Sequence, residues 1–201
     1  VKIIKIRNVK REIRILGVDD GKIIPRKLKK SFIVGVVCRG GDGLEGVLKT
    51  KIEVDGFDAT SRIIKMIKTS NHYNQIRVLM LNGLNFAGYN LVDVEKLFEK
   101  TKKPVIVINK NKTDVEQIGA NLKNLNNWQY RIEMLKKAGE PIPVEISGWN
   151  RFLYIQVFGI EVEDAKKIVK ISSTFSDFPE PLRLANIVAS ALQSSFLNEE
   201  N

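Results

Sequence analysis

The chain has one cysteine and one histidine among 201 residues. With only Cys38 and His72, no zinc site of Cys and His ligands can be assembled, and no internal disulfide can form. Cys38 ends the apolar run "SFIVGVVC", where it reads as a small buried hydrophobe, and His72 sits in the polar stretch "TSNHYNQ". No serine stands in a G-x-S-x-G context, so nothing points to a Ser–His–acid triad. Long apolar runs are missing too: no segment approaches the ~18–20 consecutive apolar residues of a membrane span. The opening stretch "VKIIKIRNVKREIRILG" has neither the continuous apolar core nor the small-residue cleavage site of a signal peptide. These absences lead to the expectation of a cytoplasmic protein with no membrane partner. There is no internal repeat or low-complexity linker, so a single domain over residues 1–201 is expected.

Acidic charge is also in deficit. Lys and Arg number 33 against 23 Asp and Glu, a formal net charge of +10. So basic a balance favours polyanionic partners, nucleic acid above all, because neutralising phosphates releases condensed counterions. A lysine-rich solvated surface would give the same count.

Three strand-like runs come first, "REIRILGV", "SFIVGVVC" and "GVLKTKIEV". "RGGDG" (39–43) between the second and third is a hairpin signal rather than a phosphate cradle, because it leads into a strand. The linker "DDGKIIPRKLKK" carries Pro25 and opposes a long helix. Afterwards the period lengthens: a helix over about 58–69, strand 76–81, helix 90–100 and strand 103–109. Helices at about 113–125 and 128–138, two strands in "PVEIS" and "RFLYIQVFG", and helices at about 161–172 and 180–197 complete the chain. Asp58, Asn90 and Thr113 are suitable N-caps for the helices they precede. Short links predict an antiparallel meander, and helical crossovers predict parallel additions to it. The expected fold is α/β: a ribonuclease H-like mixed five-stranded sheet flanked by helices, with a C-terminal strand pair and further helices.

On this map Asp19 and Asp20 end the first strand, Asp55 ends the third, and Asp58 opens the first helix. Gathered at one sheet edge, these carboxylates are what a hard ion such as Mg²⁺ or Mn²⁺ takes, and such ions assist phosphodiester displacement. Each also has a structural reading, Asp58 as an N-cap and the Asp-Gly pairs as turns. The expectation is that Asp19, Asp55 and Asp58 share an ion, with Asp20 and Asn82 in or beside its shell. Gly56 is expected to provide the sharp turn between Asp55 and Asp58.

Other stretches bear on nucleic-acid contact. Arg26, Lys27, Lys29 and Lys30 in the basic linker, together with Arg39, are expected to flank the acidic edge and meet phosphates. In "LNGLNFAGYN" the rings of Phe86 and Tyr89 either stack on bases or pin the loop to the core. Arg183, Asn186 and Ser190 form a polar stripe on an otherwise apolar helix, facing either solvent or a site.

Taken in order, "RILGVDDG", "VGVVCRG", "IEVDGFDAT", "LMLNGLNFAGYNLVDV", "PVIVI" and "PEPLRLAN" resemble an archaeal family known as endonuclease dU, distantly related to endonuclease V. The resemblance covers residues 13 to about 192. It implies a ribonuclease H-like core and a metal-dependent endonuclease acting on deoxyuridine-containing DNA. It also implies that Asp19 is the essential aspartate ending the first strand, and that Asp58, with Asp55 close by, is the acidic residue near the first helix. A further aspartate usually ends the next strand in a V-D-G-like sequence; here that place reads Leu81-Asn82-Gly83. An amide oxygen can coordinate Mg²⁺ but brings no charge and cannot act as a base. The implied alternatives are a nucleic-acid-binding protein without catalysis, or a nucleotide-binding α/β protein using the same acidic edge.

Overall fold

Alternating apolar residues on the central strands separate two helical layers in the computed structural model, which describes residues 3–6, 8–21, 28–112, 115–123 and 125–199. The strands are β1 (Arg14–Asp19), β2 (Lys30–Arg39), β3 (Gly43–Glu53), β4 (Val78–Asn82), β5 (Asn85–Phe86), β6 (Asn90–Leu91), β7 (Val105–Asn109), β8 (Ile142–Ile146) and β9 (Arg151–Phe158). The helices are α1 (Ala59–Lys68), α2 (Val94–Thr101), α3 (Val115–Leu122), α4 (Trp128–Lys137), α5 (Val162–Ser172) and α6 (Glu180–Glu199).

Seven strands form one mixed sheet in the order β3-β2-β1-β4-β7-β9-β8. β1, β2 and β3 are an antiparallel meander, while β4 and β7 add parallel to β1 through the crossovers carrying α1 and α2. This is the expected ribonuclease H-like core. The C-terminal strand pair does not stand apart: β9 pairs antiparallel with β7 and extends the same sheet to seven strands. β5 and β6 form a separate two-residue ladder inside the loop after β4.

Leu79 and Leu81 of β4, and Val105 and Val107 of β7, face the layer containing α1, α2 and α4. Val78, Met80, Ile106 and Ile108 face the opposite layer of α5 and the start of α6. This two-residue period is that of strands buried on both faces. α6 buries Leu182, Ala185 and Ala189 across β1 and β2, close enough that any side chain at Gly17 would collide with the Pro181 backbone. A β-carbon at this place in β1 would therefore push α6 off the sheet.

The 39–43 turn is a β2–β3 connection as expected, and Cys38 is buried in β2 with its thiol pushed up to about 12 by burial. A thiol that resists ionisation at neutral pH is no nucleophile. The N-cap expectations fare differently. Thr113 lies outside the described residues. α2 begins at Val94 and is capped by Asp93, which accepts from the Lys96 amide at 2.9 Å. Asn90 instead caps α1 from a distance, because its side-chain oxygen accepts from the Ala59 amide at 3.0 Å. Asp58 occupies the N-cap position of α1 without making a side-chain cap bond. No helix among the described residues is long and apolar enough to cross a membrane.

Candidate functional site

β1 and β4 run parallel with Val18 opposite Leu81, so their final residues, Asp19 and Asn82, end side by side. Asp19 is 2% exposed, and the Asn82 amide donates to its Oδ2 at 2.8 Å. The other oxygen of Asp19 accepts from the Asp20 backbone amide at 2.8 Å. The Asp20 carboxylate in turn accepts from the Ala87 amide at 2.5 Å. Burial pushes the Asp20 carboxyl up to about 7; the Ala87 amide opposes this, and the charge and hydrogen bonding of Asp19 reinforce it. Two carboxylates held this near each other disfavour the doubly ionised state, which is the strain a bound cation relieves.

The loop of residues 83–91 runs from this pair to the start of α1. The Ala87 carbonyl accepts from the Asp55 amide at 2.9 Å, and the Tyr89 amide donates to the Asp55 carboxylate at 2.8 Å. Asn90, fully buried, donates to the Glu53 carbonyl and to Asp58 Oδ1, both at 2.8 Å. Asp58 also accepts from the Glu53 amide at 3.0 Å and from Arg62 at 3.2 Å. Asp55 and Asp58 thus hold the turn and the loop together. Among the described residues no three His, Cys, Asp or Glu side chains group as ligands for one ion. Of the residues expected in or beside one shell, Asp19, Asp20 and Asn82 meet at the strand ends, while Asp55 and Asp58 are engaged by the 83–91 loop. The backbone strain expected at Gly56 falls instead on Asp55, whose φ is 54°. Gly88, with φ 84°, lets the loop reach Asp55, since a β-carbon there would strike the carboxylate.

The expected nucleic-acid contacts scatter. Arg26 and Lys27 lie outside the described residues. Lys29 and Lys30 are exposed at the start of β2, near the acidic edge. Arg39 is at the opposite edge: β2 is antiparallel to β1, so its last residue returns to the level of Arg14, where Glu45 binds it at 2.7 Å. Phe86 is fully buried in the core and unavailable for stacking, whereas Tyr89 is half-buried. Arg183 is bound by both oxygens of Glu180, at 2.6 and 2.7 Å, an internal pairing rather than a free phosphate contact.

The model of the family described as Endonuclease dU matches residues 11–193 of the chain. The chain belongs to the endonuclease dU family. A relative, the UPF0215 protein of Methanothermobacter thermautotrophicus, is 48% identical over 187 residues, covering 92% of this chain and 90% of that one. The crystal structure of a protein of unknown function from Archaeoglobus fulgidus is 37% identical with a TM-score of 0.80, covering 89% of this chain and 97% of that one. Endonuclease V of Ciona intestinalis, in complex with a 23mer DNA containing an inosine followed by a ribo-adenosine, has a TM-score of 0.61 at 14% identity. It covers 92% of this chain and 86% of that one, a likeness of fold.

Two features of this endonuclease dU family member were not anticipated. Arg131 of α4 is 2% exposed and donates to the carbonyls of Asp55 (2.6 Å), Gly56 (3.2 Å) and Tyr89, while its guanidinium lies 4.0 Å from the Phe57 ring centroid. It clamps the Asp55 turn against the loop. A signal was present: Arg131 shares a helical stripe with Met134, Leu135 and Ala138, where a basic residue must be buried or break the pattern. The second is a cavity of about 160 Å³ beside Asn82, lined by the carboxamides of Asn82, Asn85, Asn109 and Gln156 against Ile118 and Leu135. Asn109 donates to Gln156 at 3.4 Å, Gln156 donates to the Gly139 carbonyl at 2.6 Å, and the buried side-chain oxygen of Asn85 has no partner among the described residues.

Proposed function

We propose that the protein is a metal-dependent endonuclease acting on DNA that contains deoxyuridine. The observation carrying this reading is the adjacency of buried Asp19 and part-buried Asp20 to the carboxamide-lined cavity, linked by the Asp19–Asn82 hydrogen bond, in a chain of the endonuclease dU family. The donor set fits a hard divalent ion, Mg²⁺ or Mn²⁺, which needs only one or two protein carboxylates and fills its remaining positions with water and substrate phosphate. Asp19 and Asp20 would hold it, and Asn82 would join through its amide oxygen once the side chain turns over. Such an ion supplies an activated water and charge neutralisation on the phosphate.

The chain's own residues supply the rest. Asp55 and Asp58 keep the 83–91 loop seated, and Ala87 orients Asp20 through its amide. A base turned out of the strand would be read by neutral carboxamides, which both donate and accept, as the imide edge of uracil requires. A cavity of about 160 Å³ is small beside the roughly 300–1,000 Å³ of sites for drug-sized ligands, which suits a single ring. With DNA as the partner, the net charge of +10 favours association and makes it salt-sensitive.

Incubation with uracil-, hypoxanthine- and undamaged-base oligonucleotides, in Mg²⁺, Mn²⁺ or chelator, tests the reading. Cleavage confined to the uracil strand, requiring metal and lost in Asp19→Asn, is expected. Equal treatment of all three strands in every metal would refute it. One observation favours a second reading, DNA binding without cleavage: Asn82 sets an amide where the related enzymes place a carboxylate. Tight binding of the uracil strand with no metal-dependent product would select that alternative.

A further inference from the structure

A second cleft, of about 710 Å³, opens at the other end of the sheet, where β1, β4 and β7 begin. Arg14 and Asp19 are the two ends of β1, so at about 3.3 Å per residue the cleft lies roughly 17 Å from the acidic edge. One wall is the N-terminal segment bearing Lys5 and Lys10. The other is formed by Arg77, just before β4, and by Lys102 and Lys103, just before β7. Among the described residues none of these five cations is within ion-pair reach of a carboxylate. Arg14, also on the lining, is taken by Glu45 at 2.7 Å, and among the described residues Glu12 is the one carboxylate on the lining.

Like charges drawn together from three separate segments oppose folding unless something else compensates. The Lys103 ammonium is held below the usual range mainly by burial, with neighbouring Arg77 adding to it, and the Tyr73 ring 4.9 Å away is its one ring contact among the described residues. Favourable placement at the carboxyl end of α2 explains Lys102, the C-cap of that helix, and extends at most to Lys103. It does not explain Arg77, Lys5 or Lys10, which belong to other segments.

We infer that this cleft binds successive phosphates of a nucleic-acid strand, away from any bond cut at the acidic edge. Among the described residues no aromatic side chain lines it, so it offers no platform for a base and reads the backbone without regard to sequence. The amides of Asn8, Asn74 and Gln75 add neutral donors for phosphate oxygens. The inference is independent of the proposed cleavage, and its test uses neither uracil nor metal.

The probe is a fluorescent all-thymidine single strand in chelator, with binding followed by anisotropy over a salt series. Arg77→Ala/Lys103→Ala should weaken binding about tenfold or more at low salt. It should also flatten the log–log salt slope by roughly 1.4, about 0.7 for each lost contact. Lys102→Ala, at an exposed position where the core is untouched, should flatten the slope by about 0.7 on its own. The charge-keeping pair Arg77→Lys/Lys103→Arg should retain the slope. Lys167→Ala, on α5 and off the cleft, should retain it too, separating the cleft from total charge. Wild-type affinity and slope in both the double variant and Lys102→Ala would overturn the inference. A cleft that binds inorganic tripolyphosphate through Arg77 and Lys103, while the strand binds indifferently to both, would overturn it in favour of a small-anion site. Loss of uracil cleavage with this binding intact would count against the proposed activity and leave the cleft standing.

Discussion

Exchanging one atom group at the strand ends tests whether the Asp19–Asn82 contact is a metal position. In Asn82→Asp, the donor 2.8 Å from Asp19 Oδ2 becomes a second carboxylate oxygen. Two unit charges at about 3 Å repel by roughly 1.4 kcal/mol at the dielectric of water and about 5–6 kcal/mol at an effective dielectric of 20. A hydrogen bond to a charged group, worth about 1.5–3 kcal/mol, is lost as well. Asp19 is buried and Asn82 only partly exposed, and the pair can relax by sharing one proton. The variant should therefore lose about 3 kcal/mol in urea unfolding at about pH 8 without divalent ions. The shared proton raises the upper pKa of the pair, so the penalty applies above that pKa and fades as pH falls through it. Mg²⁺ or Mn²⁺ should reverse the loss, since ligand at a hundred times its dissociation constant adds about 2.7 kcal/mol. Wild-type stability at about pH 8, with no response to either ion, would refute both the contact and the ion position.

Three further outcomes follow from the same network. Asn90→Ala removes the acceptor for Ala59 and the donor to Glu53 and Asp58, and should cost roughly 2–4 kcal/mol by denaturant titration. Asp20, held at about 7 against an ordinary 3.8, keeps its proton longer in the folded state than in the unfolded one. Its contribution to stability is therefore complete below about pH 4 and lost as pH rises towards 7, by a few kcal/mol at most. Asp20→Asn should remove that slope and be the more stable protein at about pH 8 in chelator, as urea unfolding across the pH range will show. Arg131→Met orphans three carbonyls around the Asp55 turn and should cost on the order of 3 kcal/mol or more by thermal or denaturant unfolding. Arg131→Lys should recover little, because an ammonium cannot span the same fork.

The central strands were legible because Val, Ile and Leu runs broken by Gly and Pro leave few alternatives, and the hairpin at 39–43 because its glycines permit little else. Where the C-terminal strand pair goes was not legible, since attachment to β7 is decided by an edge that exists only once the sheet has formed. The Asp19–Asn82 pairing could be anticipated, being a consequence of two parallel strands ending at one level. The Asp58 cap could not, because the oxygen that takes its place comes from Asn90, far along the chain. Arg39 does not flank the acidic edge because the antiparallel return of β2 brings its last residue level with Arg14. The carboxamide cavity draws on separate strands and helices from Asn82 to Gln156, and no local pattern announces a set assembled at that range.

Ala87 donates its amide to Asp20 and accepts from the Asp55 amide at its carbonyl, so the two peptide units that flank its α-carbon hold two different segments. Displacement of this one residue would therefore loosen the carboxylate after the first strand and the turn after the third together. Opening of this loop is then expected to be one cooperative fluctuation rather than two independent ones. Amide exchange at Ala87 and at Asp55 should then share one protection factor, and an ion seated between Asp19 and Asp20 should slow both alike. In kinetic terms, release of the proposed ion should track the opening of the loop at Ala87.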